Sequence, residues 1–268
     1  GRGQVLLGRH PDVDAFLPFR KRALFAADGP LRTPFFLRKQ SYSVAIDASN
    51  PTDPSLTQAF FTATSGARYT IGSAARGCAP FFSHPVEPDS ADIHEIEHRL
   101  NLLEPLPGDA RVRMPSLAYD DRGVDADEPY VVINVGARVA SKQLSVDEFV
   151  RLADVCSRSH PVVLTWGPGE HALAAAVAER CAGALVAPPT SLDELAVLLK
   201  DAYAVVSCDT GPMHLAVALG TPTLGIFLTT SPRRYGYTDV PHAVFDGRGG
   251  REGLTGTVCG WLARERVA

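Results

Sequence analysis

The residues best suited to chemistry lie in one stretch, YAVVSCDTGPMHLAVALGTPTLGIF, at positions 203–227. Its pattern predicts a buried strand, a tight turn from Asp209 to Gly211, a short helix that begins at Pro212, and a second strand. The free N–H groups and the positive dipole end of such a helix attract anions. With the Asp209 carboxylate beside them and His214 one turn into the helix, the stretch suits a phosphorylated ligand that carries hydroxyl groups. Simple capping of a structural helix is the alternative.

Two further polar loops follow predicted strands in the same half of the chain. The loop GARVASK at 136–142 supplies two cations, one of them Lys142, and small residues that let backbone N–H groups approach a ligand. The loop WGPGE at 166–170 ends in Glu170, which can accept hydrogen bonds from a ribose diol. Cations, directed N–H donors and a sugar acceptor together suit a nucleotide diphosphate. Singly, each residue also fits a structural role: a surface lysine, a first-turn helix acid and, for Trp166, a core aromatic.

Alternating strands and helices must position these loops at one edge of a sheet. Two of the helices begin with a Ser-x-x-Glu capping box. The alternation predicts a parallel sheet with right-handed crossovers, and ligands bind such sheets at the carboxyl ends of the strands. The predicted strands lie at 131–134, 162–165, around Leu185, 204–207 and 223–227, and a final helix is predicted at 253–267.

The first 120 residues carry weaker α/β patterning. The acidic segment DDRGVDADE at 120–128 has no apolar periodicity, which is typical of a linker. We therefore predict an N-terminal domain at 1–120, a linker at 121–128 and a C-terminal domain at 129–268. The predicted N-terminal elements are strands at 42–47 and 68–71, a helix at 55–64, a loop at 81–88, and a helix from 91 to about 103 that is capped by Ser90.

Composition excludes several classes of function. The 268 residues are 45% hydrophobic, enough for two cores, and the formal net charge of −4 gives no basic footprint for nucleic acid. No apolar run approaches the 18 residues of a membrane-spanning helix. The five cysteines are scattered without a C-x-x-C pair, which favours reduced thiols. We expect a cytoplasmic protein.

The segments VVINVGARVASK, VVLTWGPGE and VVSCDTGPMHLAVALGTPTLGIF resemble the C-terminal domain of glycosyltransferase family 9, the ADP-heptose:lipopolysaccharide heptosyltransferases. The motif D-[TS]-G-x-x-H-x-x-x-A-x-G-x-P, placed after a lysine loop and a W-G-x-x-x-E loop, is specific. The resemblance covers residues 130–245 well and extends loosely to HPDVDAFLPF and YSVAIDAS. It implies an α/β GT-B fold: two Rossmann-like domains with parallel sheets, the second holding the donor and the first, here incomplete, the acceptor.

The resemblance also implies a role for each matching residue. Lys142 would contact the donor phosphates, Glu170 the ribose hydroxyls and Asp209 the transferred sugar. The N–H groups of Thr210 and Gly211 would cradle the pyrophosphate. The complete predicted donor site comprises Gly136, Ala137, Arg138, Lys142, Trp166, Gly167, Glu170, Thr190 and Leu192 at the base pocket, Asp209, Thr210, Gly211, and His214 near the phosphates.

The chain departs from the family pattern at two places in the lysine loop. Gly136 and Ala137 stand where some members carry two hydroxyl residues, so backbone contacts would replace side-chain contacts to phosphate. Leu144 stands where an aromatic residue is common.

The catalytic base is not assigned by the sequence. Inverting enzymes of this kind use a carboxylate to deprotonate the acceptor hydroxyl, and the family carries it in a G-D motif after its first strand. No G-D pair precedes Asp12, and the chain begins without Met, so we expect a chain that lacks the family's N-terminal strand and usual base. Asp12, Asp14 and Asp47 stay open as substitutes or as structural residues.

A basic run follows the strand that resembles the family's P-x-V-D segment. Arg20, Lys21 and Arg22 are predicted to face an acidic lipopolysaccharide acceptor. A solvated basic turn is the alternative.

A rival motif lies at 94–98, where HEIEH matches the H-E-x-x-H of zinc proteases. On a helix, His94 and His98 would share one face, and Glu95 could act as a general base. No third histidine follows at the expected spacing, so this alternative is the weakest of those considered.

The sequence therefore predicts an inverting glycosyltransferase that moves a sugar, with heptose from ADP-heptose favoured, to a lipopolysaccharide-core or related saccharide or lipid-linked saccharide acceptor. No cofactor and no metal are expected. The resemblance also implies a monomer with at most peripheral association with the inner membrane. The main alternative is a non-catalytic GT-B protein that binds nucleotide sugars.

Overall fold

The computed structural model describes residues 8, 10–17, 33–89, 93–108 and 128–265. The chain divides into two compact units, one formed by Ala15–Arg113 and the other by Met114–Ala268 with Gly1–Asp14. The predicted linker at 121–128 lies outside the described residues apart from Glu128. The predicted domain boundaries therefore stay a prediction.

The first unit is built on a short parallel sheet. Its described strands follow the order β1-β2-β3, and the middle strand carries Ile71 into a small core with Val86 and Leu102. The elements in chain order are α1 (Thr33–Lys39), β1 (Val44–Ile46), α2 (Leu56–Thr64), β2 (Tyr69–Ser73), β3 (His84–Val86) and α3 (Glu95–Asn101).

Two predictions for this unit are wrong. The segment predicted as a loop contains β3, which accommodates Pro85 because β3 lies at the edge of the described sheet, where a missing N–H is tolerated. The helix predicted from residue 91 begins at Glu95 instead. His94 is extended, and its imidazole Nδ1 accepts the Ile96 N–H at 3.2 Å, which is the role of an N-cap. Ser90, the predicted cap, lies outside the described residues.

The second unit is built on a parallel sheet whose described strands follow the order β6-β5-β4-β7-β8-β9. The predicted strands are confirmed, and β9 is a strand that the sequence analysis missed. The elements are β4 (Val131–Asn134), α4 (Val146–Ser157), β5 (Val162–Thr165), α5 (His171–Ala178), β6 (Ala184–Val186), α6 (Leu192–Lys200), β7 (Ala204–Cys208), α7 (Gly211–Ala218), β8 (Thr223–Phe227), α8 (Pro232–Tyr235), β9 (Ala243–Asp246) and α9 (Leu254–Glu265).

The central strands form because they are apolar on both faces. Every residue of β4, β7 and β8 is buried, which is the pattern of a parallel sheet covered by helices on each side. The helices α4 and α6 begin at the predicted capping boxes. In each, the serine side chain accepts the N–H of the glutamate three residues on, and that glutamate accepts the serine N–H.

The order of the strands creates a switch point between β4 and β7. From β4 the chain adds β5 and β6 on one side, and from β7 it adds β8 and β9 on the other. The loops after β4 and β7 therefore leave neighbouring strands in opposite directions, and a crevice opens between them at the carboxyl edge of the sheet.

The helix α7 lies unusually close to β8. A Cβ atom on Gly225, in the middle of β8, would stand 2.7 Å from Met213 Sδ and 3.0 Å from the Phe227 ring. Glycine at this position lets Met213 pack directly on the strand. The start of α7, where the predicted anion site lies, is thus fixed against the sheet.

Burial in this core predicts a contrast between two leucines on neighbouring strands. Leu164 on β5 is fully buried, whereas Leu185 on β6 is 66% exposed. Leu164→Ala should lower the free energy of unfolding by about 3 kcal/mol because it removes buried contacts and leaves a cavity. Leu185→Ala should change it by no more than about 0.5 kcal/mol. Urea unfolding of both variants checks this, and equal losses would contradict the assigned register.

Candidate functional site

The side chains of Lys142 and Asp209 meet across the switch point. Lys142 ends a short 3₁₀ turn (Ala140–Lys142) in the loop after β4, and Asp209 directly follows β7. Lys142 Nζ donates to Asp209 Oδ2 at 2.6 Å, and the side chains are 27% and 6% exposed. A buried carboxylate is stable only when it is paired and hydrogen-bonded. The pair therefore ties the two loops together.

Two further groups contact the Asp209 carboxylate. The Thr230 Oγ1, in the loop after β8, donates to Oδ2 at 2.5 Å, and His214 Nε2 lies 3.4 Å from Oδ1. Burial opposes ionisation, but hydrogen bonds from His214, Lys142 and Thr230 hold the pKa of Asp209 well below its ordinary value. An ionised carboxylate offers about four acceptor positions, so three donors leave about one for a ligand hydroxyl.

The Asn134 amide makes a second set of polar contacts between the same two loops. The Asn134 amide, at the end of β4, donates to the carbonyl of Gly136 at 2.9 Å and to Thr210 Oγ1 at 3.2 Å. It also lies 3.3 Å from Ser207 Oγ. These contacts connect the end of β4 with the turn that leads into α7. They fix the backbone on which Asp209 is mounted.

Glu170 joins the loop after β5 to the loop after β4. Its Oε1 accepts the Ala137 N–H at 2.8 Å, and its Oε2 accepts the Gly167 N–H at 2.8 Å. A Cβ atom on Gly136 would stand 2.2 Å from Oε2, so a side chain at 136 would displace the Glu170 carboxylate. Two of the roughly four acceptor positions of the carboxylate stay open for a diol.

The start of α7 presents backbone donors beside these side chains. Thr210 is the N-cap, and Pro212 in the first turn has no N–H. Among the described residues, no acceptor faces the Gly211 N–H, and a Cβ atom on Gly211 would meet nothing within 4 Å. This N–H is therefore available to an anion.

The other predicted site residues lie in the loops after β4, β5 and β6. Trp166 packs against the main core, and its indole N–H donates to the Ala187 carbonyl at 2.8 Å. Arg138 is exposed in the loop after β4. Thr190 is half-buried in the loop after β6. Leu192 begins α6 and packs against the apolar cluster that contains Val132 and Val205. Their roles in binding stay predictions.

The candidates for the catalytic base and for acceptor binding do not lie on the sheet of the second unit. Asp12 and Asp14 are exposed. Asp47 follows β1 and is 4% exposed, and its Oδ1 accepts the Ser49 N–H at 2.9 Å. The basic run at 20–22 (Arg20, Lys21, Arg22) lies outside the described residues.

Three polar residues of the site were missed by the sequence analysis. Thr230 and Tyr237 lie in the segments before and after α8, and Asn134 is the last residue of β4. The Tyr237 hydroxyl lies 3.0 Å from His214 Nδ1. An asparagine at the end of an apolar strand was a usable signal, but single polar residues in irregular segments carry none.

The geometry argues against the zinc-protease alternative. His94 lies before α3 and uses Nδ1 to cap it, and His98 is 2% exposed. Within the part of the chain that the structure describes, no group of three or more His, Cys, Asp or Glu side chains is arranged to hold a metal ion.

Comparison with known proteins decides the family. The profile of glycosyltransferase family 9 (heptosyltransferase) matches residues 36–245. The chain belongs to glycosyltransferase family 9. It is 31% identical over 206 residues to lipopolysaccharide heptosyltransferase 1 of Pseudomonas aeruginosa, covering 73% of this chain and 57% of that protein. It is 30% identical over 168 residues to an Escherichia coli lipopolysaccharide heptosyltransferase 3, covering 56% of this chain and 48% of the relative.

Solved structures of the family share the fold. The E. coli heptosyltransferase WaaC with ADP matches with a TM-score of 0.77 at 21% identity, covering 97% of this chain and 86% of that one. A glycosyltransferase family 9 protein from Veillonella parvula matches with a TM-score of 0.79 at 17% identity, with the same two coverages. The fold is therefore GT-B, as the family resemblance implied.

The chain spans about half the length of the curated relatives it matches. No helix among the described residues combines the length and the apolar composition that crossing a membrane requires.

The contact between Gly136 and Glu170 predicts a steric effect. Gly136→Ala should displace the Glu170 carboxylate, break its two backbone hydrogen bonds, and lower the free energy of unfolding by about 2 kcal/mol. Gly256→Ala is the matched control, because Gly256 is exposed on α9 and a Cβ atom there meets nothing within 4 Å. Urea unfolding checks both. In a Glu170→Ala background, Gly136→Ala should lower the free energy of unfolding by much less. If the effects of the two substitutions are fully additive, the clash is contradicted.

The low pKa of Asp209 predicts acid sensitivity. Because the folded pKa lies below the ordinary value of 3.8, the carboxylate stabilises the fold fully above about pH 4, and this stability is lost as the pH falls through the folded pKa. The free energy of unfolding of wild type should exceed that of Asp209→Asn by on the order of 2 kcal/mol at pH 7. The difference should shrink toward pH 2. Asp147→Asn, at an exposed ion pair with Arg180, is the control and should show little difference at any pH.

Proposed function

We propose that this chain is an inverting glycosyltransferase that transfers heptose from ADP-heptose to a lipopolysaccharide-core saccharide. The observation that carries the proposal is the cluster of Lys142, Asp209, His214 and the start of α7 at the switch point of a family 9 sheet. The names of the relatives support the sugar and the acceptor. The P. aeruginosa and E. coli proteins are lipopolysaccharide heptosyltransferases, and WaaC has been solved with ADP.

The charges of the site support a nucleoside diphosphate donor. Lys142 Nζ has three N–H donors and gives one to Asp209, so two can face phosphate oxygens. The Gly211 N–H and the exposed Arg138 add donors at the same edge. We assign neutralisation of the leaving diphosphate to these groups, without a metal cofactor.

The carboxylates support recognition of the two sugars of the donor. Glu170 keeps two acceptor positions, which match the two adjacent hydroxyls of a ribose. Asp209 keeps about one position, which suits a single hydroxyl of the transferred sugar. Thr190 and Leu192 would lie along the adenine.

The reaction would proceed in one displacement at the anomeric carbon. The acceptor oxygen forms a bond to that carbon as the bond to the diphosphate oxygen breaks, and the leaving oxygen keeps the electron pair. Lys142 and the Gly211 N–H stabilise the negative charge that develops there. The acceptor proton passes to a carboxylate base, which we leave unassigned in this chain. We further propose that the protein acts as a cytoplasmic monomer on an acceptor at the inner membrane, with Arg20, Lys21 and Arg22 toward that acceptor.

Thermal-shift titration of the chain with ADP, UDP, GDP and NAD tests the donor site. ADP at a hundred times its dissociation constant should stabilise the fold by about 2.7 kcal/mol. Lys142→Ala should abolish the shift, because the variant loses the cation that faces the phosphates. Lys200→Ala is the control, since Lys200 ends α6 just before β7 begins and so lies at the opposite edge of the sheet.

The other outcomes discriminate between the hypotheses. A shift with UDP or GDP instead of ADP would overturn ADP-heptose as the donor. If ADP binds, turnover of ADP-heptose with a lipopolysaccharide-core acceptor follows as the second measurement, with and without EDTA. Binding without ADP release would favour the non-catalytic nucleotide-sugar-binding protein, and inhibition by EDTA would contradict the metal-free assignment.

A further inference from the structure

The His214 imidazole is contacted at both of its nitrogens. Nε2 lies 3.4 Å from Asp209 Oδ1, and Nδ1 lies 3.0 Å from the hydroxyl of Tyr237. The His214 and Tyr237 rings meet edge to face, with centroids 5.7 Å apart and planes at 76°. Tyr237 lies between α8 and β9, outside the family motif.

The protonation states of the neighbours fix the direction of these contacts. The Asp209 carboxylate is held ionised by its donors, which keep its pKa well below the ordinary value, so it can only accept. Burial, and then the Asp209 charge, raise the pKa of Tyr237, so its phenol is protonated at neutral pH. A neutral imidazole has one N–H and one acceptor nitrogen. For a neutral ring, the assignment that satisfies both contacts is Nε2–H toward Asp209, with Nδ1 accepting the Tyr237 O–H.

We propose that Tyr237 is a positioning residue of the donor site. Its hydroxyl holds His214 in the Nε2–H tautomer, which keeps a third donor on Asp209. The proposal rests on the proposed function in one respect, that Asp209 and Lys142 belong to the nucleotide-sugar site.

The consequence of losing the hydroxyl follows from the same geometry. With the proton on Nδ1, a lone pair of Nε2 would face the Asp209 oxygen, and the two would repel each other. The His214 side chain is 38% exposed, so the ring has room to turn away. Among the described residues, Asp209 would then keep only Lys142 and Thr230 as side-chain donors, and the Lys142 ammonium would shift as the carboxylate moves. The diphosphate would meet a less ordered cation.

The other groups around Tyr237 do not replace this contact. The His242 ring meets Tyr237 edge to face at 6.3 Å, and burial lowers the pKa of His242, which favours its neutral form. Asp239 is the acidic neighbour of His242 and opposes that effect. Tyr237→Phe removes the hydroxyl that contacts His214 and keeps the ring, so the edge-to-face contacts with His214 and His242 are retained.

The test compares Tyr237→Phe with wild type by ¹⁵N NMR of the histidine rings in the unliganded protein. His214→Gln assigns the resonances. Wild type should show the Nε2–H tautomer at His214, and Tyr237→Phe should show a mixture of tautomers. The dissociation constant for ADP should rise about fivefold in this variant. Tyr235→Phe, on α8, is the matched control and should change neither quantity.

A double-mutant comparison separates positioning from a general structural effect. If Tyr237 acts through His214, Tyr237→Phe should weaken ADP binding no further in a His214→Gln background. An unchanged tautomer in Tyr237→Phe, an unchanged ADP affinity, or full additivity with His214→Gln would each overturn the proposal. If wild type itself does not bind ADP, the proposed donor site fails and this role fails with it. If wild type binds ADP but Tyr237→Phe does not change the tautomer or the affinity, only the role of Tyr237 is overturned.

Discussion

The site depends on one buried carboxylate. Asp209 is 7% exposed at the end of β7, and removing such a charge from water costs several kcal/mol unless donors surround it. The donors come from different segments: Lys142 after β4, His214 on α7 and Thr230 after β8. Satisfying one carboxylate therefore fixes three loops at the same edge of the sheet. The adjacency of β4 and β7, which the strand order imposes, makes this possible.

Much of the fold could be predicted because buried strands require apolar residues, which are visible as runs in the sequence. The central strands are largely apolar, and both predicted capping boxes carry their full pairs of hydrogen bonds. The misses have local causes. β9 is short and only half-buried, so its pattern is weak, and β3 contains Pro85, which favours a loop until its edge position is known. The start of α3 was misplaced because histidine is an uncommon N-cap.

The sequence motifs predict which residues form the site, but they do not predict the partners that those residues contact. Lys142, Glu170 and Asp209 stand out because each follows a recognisable strand. The partners that fix their geometry do not stand out. Thr230 and Tyr237 reach the site only because β8 and β9 lie in register beyond β7, and no periodicity marks either residue. Such long-range pairing is a property of the sheet and is not encoded in any window of sequence.

The departure at Gly136 and Ala137 becomes intelligible through Glu170. A side chain at 136 would collide with the Glu170 carboxylate, so a hydroxyl residue there, as in some family members, would require Glu170 to move. The Ala137 N–H is also committed, because it donates to Glu170. The expectation that backbone groups at 136 and 137 replace hydroxyl contacts to phosphate is therefore weakened at Ala137. In the proposed function, Lys142, Arg138 and the start of α7 would then neutralise the diphosphate, and the loop after β4 would hold Glu170 in place for a diol.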